Sequence, residues 1–254
     1  MSELIPYLKL LSTRGPSVAV RELSSRIFRE DPVEACRRVM DVCERRGGSF
    51  TFFLVGLCAQ DNPAFVEEVL GRGHEIACHG HAHHRFGLMS PDEARRDLET
   101  ALEFYETRFG YRLQGFRAPY LEMPDYLYGL LRELGFTYSS SIAGNGAPEQ
   151  RDGIIEYPIS VDDWSILIRD NLGMRGLADA MRRELRDGAC FLLHPWRVGQ
   201  RRYIGSVEAV LDASPPSPFV TMSKMVETGT GIALTGDVGE LAWSEIIRRS
   251  ILGR

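Results

Sequence analysis

Gly73-His74-Glu75-Ile76-Ala77-Cys78-His79-Gly80-His81-Ala82-His83-His84-Arg85 carries five of the six histidines of this 254-residue chain. A helical stretch at residues 63–70 and a glycine-rich turn at 71–73 precede it. Glu75-Ile76-Ala77-Cys78 then reads as a short buried strand, so the histidines begin where that strand ends. On their own, histidines in such number also fit a solvated loop or an adventitious metal-binding tract. Their place behind a strand is what points to a built site.

The same order of helix, strand and polar exit recurs on both sides. Upstream, residues 32–46 have apolar positions at helical spacing with Pro32 at the start, and Gly47-Gly48 closes the helix. Ser49-Phe50-Thr51-Phe52-Phe53-Leu54-Val55 follows as an aromatic, β-branched strand. Ser17-Val18-Ala19-Val20 reads as an earlier one. Downstream, Ser90-Pro91-Asp92-Glu93 is a capping box that opens a helix to about Arg108. A strand at 113–116 runs into Arg117-Ala118-Pro119-Tyr120, and a helix over 125–134 precedes a strand at Tyr138. Residues 154–159 lead into Val161-Asp162-Asp163-Trp164. A helix over 176–186 precedes a strand at 189–193, which delivers His194-Pro195. Alternation of this kind predicts an α/β domain with mainly parallel strands, and polar clusters after successive strands belong on one face of a parallel barrel. Residues 229–236, rich in Gly and Thr without the Lys of a phosphate loop, read as a flexible connection to a final helix over 240–251.

The whole-chain properties agree with a single enzyme-sized domain over 1–254, with 1–16 as an N-terminal extension and 227–254 as a C-terminal tail and helix. A net charge of −5 and scattered arginine pairs argue against nucleic acid as a partner. Five cysteines without a CxxC pair favour a reducing compartment. No run is apolar enough for a membrane span, and the first residues lack the pattern of a signal peptide. The expectation is a cytoplasmic protein. Oligomeric state is not legible.

His79 and His83, in His-x-x-x-His on a strand exit, can converge on one metal, while His81 and His84 point elsewhere by alternation or support the ligands from behind. Zinc hydrolases usually add a third ligand and leave a position open for water. A carboxylate then takes the water proton, and a separate histidine protonates the leaving amine.

With these pieces in place, the chain resembles the polysaccharide deacetylases, the NodB-homology group or fourth family of carbohydrate esterases. The resemblance is carried by Thr51-Phe52-Phe53-Leu54-Val55-Gly56, Gly73-His74-Glu75-Ile76 with His79 and His83, Arg117-Ala118-Pro119-Tyr120, Asp162-Asp163-Trp164 and Leu193-His194-Pro195. It implies a distorted (β/α) barrel of about seven parallel strands and hydrolysis of the C–N amide bond of an acetamido sugar or related small molecule. It also implies a divalent metal, zinc in the first instance, on His79 and His83. Arg117 would orient the catalytic carboxylate, the backbone around Tyr120 would help hold the oxyanion, and Asp163 would keep His194 protonated as general acid. Trp164 and Pro195 would line the saccharide pocket.

One motif is missing from its place. The family has an Asp-Asp pair after its first strand, giving the catalytic base and the third metal ligand, whereas this chain has Val18-Ala19-Val20-Arg21-Glu22-Leu23-Ser24-Ser25. Aligning on the strand offers Glu22; aligning by distance back from Thr51 offers Glu30 and Asp31. The acidic pair also suits the start of the helix at Pro32. Two other readings stay open at this point: a metal-independent acid–base enzyme using Glu22, Asp163 and His194 on a non-glycan substrate, and a catalytically degenerate homologue that binds a glycan or a partner.

Overall fold

The computed structural model describes residues 30–213 and 219–239. Ser17-Val18-Ala19-Val20, Glu22 and the helix expected over 240–251 lie outside the described residues.

The first described helix, α1 (Pro32–Arg45), begins where Asp31 accepts a hydrogen bond from Val33 N–H at 2.8 Å and Pro32 sets the first turn. Its apolar face, including Cys36, Val39, Met40 and Cys43, is buried. Gly47, with φ of 66°, turns the chain into strand β1 (Thr51–Leu54). Helices α2 (Gly56–Asp61) and α3 (Pro63–Gly71) lead to β2 (Glu75–Cys78). The capping box at Ser90 and Glu93 forms as the sequence predicts and starts α4 (Pro91–Phe109), which Gly110 ends in the left-handed conformation.

The remaining strands are β3 (Gly115–Phe116), β4 (Tyr138–Ser139), β5 (Glu149–Arg151), β6 (Ile154–Glu156), β7 (Val161–Asp162), β8 (Cys190–Leu193), β9 (Phe219–Val220) and β10 (Ile232–Val238). Between them lie α5 (Tyr126–Glu133), α6 (Gly173–Arg183), the short α7 (Pro195–Val198), α8 (Arg201–Asp212) and α9 (Met222–Thr228). The strands form one curled sheet in the order β5-β6-β4-β3-β2-β1-β10-β8-β7, with β9 beside β10. Every pair is parallel except β5–β6. β1, β2, β8 and β10 are buried along their whole length, as strands covered on both faces must be. This is the NodB-type barrel architecture.

The order contains one correction. Residues 229–236 do not form a flexible connection: from Ile232 they enter β10, a seven-residue strand at the centre of the sheet, between β1 and β8. Gly229 caps α9 and Gly231 is the turn before the strand, so the glycine-rich reading holds for only three residues. Gly236 within β10 has a packing reason, since a Cβ there would come within 2.4 Å of Pro195 and 2.8 Å of Phe50.

Candidate active site

Strand register determines which residues meet. Cys78 pairs with Phe116, so His79 and Arg117 leave the sheet at the same level. Leu54 pairs with both Cys78 and Val238, which sets Asp237 just below His79. Gly236 pairs with Leu193, which brings Asp237 level with His194. Two imidazoles, a guanidinium and a carboxylate therefore gather at the C-terminal ends of four strands.

Arg117 is fully buried and held on all sides. Its Nε donates to the Ser140 carbonyl at 2.6 Å, one terminal nitrogen to Ser140 Oγ at 2.8 Å, and the other to Thr235 Oγ1 at 2.8 Å and Asp237 Oδ1 at 2.9 Å. Its guanidinium also sits 4.0 Å from the centre of the Phe53 ring. Burial is the largest single influence on Asp237 and would raise its pKa; the Arg117 charge and hydrogen bond, together with His79 and His194, outweigh it and hold this carboxyl below the usual carboxylate range. Asp237 is thus an ionised base, with Oδ2 lying 3.8 Å from His79 Nε2.

His79 donates from Nδ1 to the Arg117 carbonyl at 2.9 Å, which leaves Nε2 as the lone-pair nitrogen toward Asp237. The His83 ring lies 5.0 Å from His79, and the Tyr120 ring 5.0 Å from His83. His83, Tyr120 and Leu121 all have positive φ, at 56°, 62° and 57°. Such conformations cost of order 1–3 kcal/mol each in non-glycine residues and are held only where the surroundings over-determine them. Desolvation pushes both imidazoles below their ordinary pKa, His83 to about 3, so each is neutral at physiological pH. Asp97 on α4 steadies the loop between them by accepting from His81 N–H at 2.7 Å and Ala82 N–H at 3.3 Å.

The second dyad is complete. Asp163, fully buried, accepts from the His194 backbone N–H at 2.7 Å and from its ring Nδ1 at 2.6 Å. That fixes the ring's orientation, with Nδ1 as the donor. Trp164 lies 5.8 Å from the His194 ring. Pro195 starts α7 and packs over Gly236. Asp162 points elsewhere: it accepts from the Trp164 and Ser165 backbone and from Ser165 Oγ at 2.6 Å.

The structure thus brings His79, His83, Arg117, Tyr120, Asp163, Trp164, His194 and Pro195 to the C-terminal end of the sheet. It does not bring Glu30 or Asp31 there. Asp31 caps α1, and Glu30 pairs with Arg38 and accepts from Arg201 N–H at 3.0 Å. Those acids serve the start of a helix, the role that Pro32 beside them indicates.

The residue that sequence reasoning missed is Asp237. It occupies the position beside Arg117 that the absent Asp-Asp motif should supply. Asp237-Val238-Gly239 keeps the first carboxylate and the glycine of that motif, on a strand that follows the other central strands in the chain instead of preceding them.

A family-type metal centre would need His79, His83 and a third donor gathered around one point. Among the described residues, the donor atoms of His79, His83 and Asp237 do not gather within 4.8 Å of one another, whereas those of Asp162, Asp163 and His194 do. Asp162 and Asp163 are already engaged with backbone and with His194. After Asp237 comes Val238, buried and without a side-chain donor, and then Gly239, where a Cβ would come within 2.6 Å of His83. The residues present do not fit a three-ligand site.

Comparison with known proteins agrees with this geometry. The polysaccharide deacetylase family model matches residues 26–139. A peptidoglycan-N-acetylglucosamine deacetylase from Bacillus cereus is 24% identical over 201 residues, 77% of this chain and 65% of that protein. A peptidoglycan deacetylase-like protein from Gibberella zeae is 29% identical over 112 residues, 43% of this chain. The chain spans 33% of the length of that protein. A Mycobacterium smegmatis crystal structure described as a polysaccharide deacetylase superposes with a TM-score of 0.64 at 24% identity, covering 87% of this chain and 79% of that one. With its sheet, its two dyads and its paired histidines, the chain is similar to the polysaccharide deacetylases of NodB homology and shares their fold.

Proposed function

We propose that the chain hydrolyses the amide bond of an N-acetylated amino sugar, with Asp237 as general base and His194 as general acid. The observation that carries this reading is the Arg117–Asp237 ion pair at 2.9 Å, set level with the Asp163–His194 pair on neighbouring strands. The names of relatives, which act on peptidoglycan and chitooligosaccharides, support an acetamido sugar as substrate. The half-buried Trp164 and the exposed Tyr120 suit a sugar face.

In the proposed reaction Asp237 takes a proton from water as its oxygen bonds to the acyl carbon. Backbone N–H groups around Tyr120 hold the resulting oxyanion. His194 Nε2 then gives its proton to the amine nitrogen as the C–N bond breaks, and acetate and the free amine leave. Asp163 stabilises the imidazolium before that transfer and keeps the ring turned toward the leaving group. Asp237 then releases its proton and His194 regains one from solvent. No step is routed through a metal, since the donor set does not fit one.

The test is acetate release from N-acetylated chitooligosaccharides and peptidoglycan fragments by the full chain. Turnover is expected, falling by about 10²–10⁴-fold in His194→Ala and in Asp237→Asn. Substrate binding without turnover, or activity unchanged in Asp237→Asn, overturns the assignment.

A further inference from the structure

We propose that this chain has given up tight zinc binding, because the end of β10, the segment that approaches His79 and His83, offers no side-chain donor after Asp237. Structural and catalytic zinc are held by at least three protein donors about 2.0–2.2 Å from the ion, so those donors must gather closely. Here two neutral imidazoles with ring centres 5.0 Å apart supply two. The nearest carboxylate, Asp237, stands 3.8 Å from His79 and is bound through its other oxygen to Arg117.

The end of β10 is the segment that could complete the set. Val238 is level with Cys78 and Leu54, one residue short of His79. Its own backbone is fixed, because its carbonyl accepts from Val55 N–H at 3.3 Å. A Cβ at Gly239 would lie 2.8 Å from His83 Nε2, which shows how closely this strand end approaches the histidine pair. The end of β10 thus lies against His83, and neither Val238 nor Gly239 carries a side-chain donor for a metal. The inference concerns metal affinity, so it is read out without substrate and can fail while the hydrolase assignment stands.

The experiment is equilibrium dialysis of the full chain, first against a chelator and then against buffered zinc, with bound metal measured by mass spectrometry. Wild type is expected to retain far less than one zinc per chain. Val238→Asp is expected to bind at least ~100-fold more tightly, since even indirect ligand partners are worth 10–100-fold. Val238→Asn, of the same shape without the charge, should bind much less tightly than Val238→Asp. Circular dichroism and a cooperative thermal transition without added zinc identify a folded Val238→Asp. A wild-type chain that keeps one zinc, lost in His83→Ala, overturns the proposal. So does a folded Val238→Asp with no gain. Should Val238→Asp fail to fold, the wild-type and His83→Ala measurements decide the question alone.

Discussion

Glu75 and Asp237 are both buried carboxylates on strands that flank β1, one at its start and one near its end. Their surroundings differ. Glu75 accepts from Thr51 Oγ1 at 2.9 Å, Tyr138 OH at 2.8 Å, Ser223 N–H at 3.1 Å and Ser223 Oγ, so both its oxygens are engaged by neutral donors. Those bonds tie α9 to the lower end of the sheet. Asp237 spends one oxygen on Arg117 and turns the other toward His79, beyond hydrogen-bond range. A satisfied carboxylate fastens the fold. One held by a single charged partner, with an oxygen left toward an opening, is equipped to move a proton.

This contrast can be broken at either end. Asp237→Asn should lower turnover by about 10²–10⁴-fold. It should also cost about 3–5 kcal/mol of stability, because the buried Arg117 loses its counter-charge. Rates per folded molecule, set against urea unfolding, separate the two effects. Glu75→Gln should cost about 1–3 kcal/mol, the range for leaving a buried donor unmatched, with the rate per folded molecule unchanged. A large rate loss in Glu75→Gln would erase the distinction.

Gly236→Ala probes how closely the sheet carries His194. The added methyl meets Pro195 at 2.4 Å and must push α7, and with it His194, outward. Overpacking of this kind costs typically 1–3 kcal/mol, and turnover should fall without loss of the Arg117–Asp237 pair. Normal turnover in a folded Gly236→Ala chain would show that His194 is positioned independently of β10.

The smallest effect concerns His74. Its Nδ1 accepts from Phe50 N–H at 3.0 Å and its Nε2 faces Glu44 at 3.0 Å. Burial pushes its pKa down despite Glu44. A depressed histidine favours the fold while neutral, so its contribution is complete above the unfolded value of about 6.5 and fades as pH falls toward the folded value. The loss of stability from pH 7.5 to 5.5 should therefore be shallower in His74→Gln than in wild type. Equal slopes in urea titrations would remove His74 from the account.

Much of the fold could be read from local pattern. The capping box at Ser90, Pro32 and the buried runs at 51–54, 75–78 and 190–193 each report a local preference, and each lies where its pattern places it. His79, Arg117, Asp163 and His194 were visible for the same reason, since each follows or ends a strand. Asp237 was not. Its strand is bracketed by Gly229, Gly231 and Gly236, which imitate a linker, although Gly236 is there for contact with Pro195. Which strand lies beside which is a matter of long-range pairing, and no periodicity along the chain records that Thr235 will sit next to Thr51. The one available signal was Asp237-Val238-Gly239 itself, a partial motif at the wrong end of the sequence.

The central place of β10 also bears on how the molecule is made. Thr51 and Cys190 leave the ribosome well before their partners Thr235 and Ala233 do. Until β10 arrives, β1 and β8 each present an unpaired parallel edge, an invitation to pair with another chain. The strand that seals those edges is also the one that brings Asp237. Protection of the sheet edges and completion of the Arg117–Asp237 pair therefore come at the same moment of synthesis, with the arrival of one seven-residue segment.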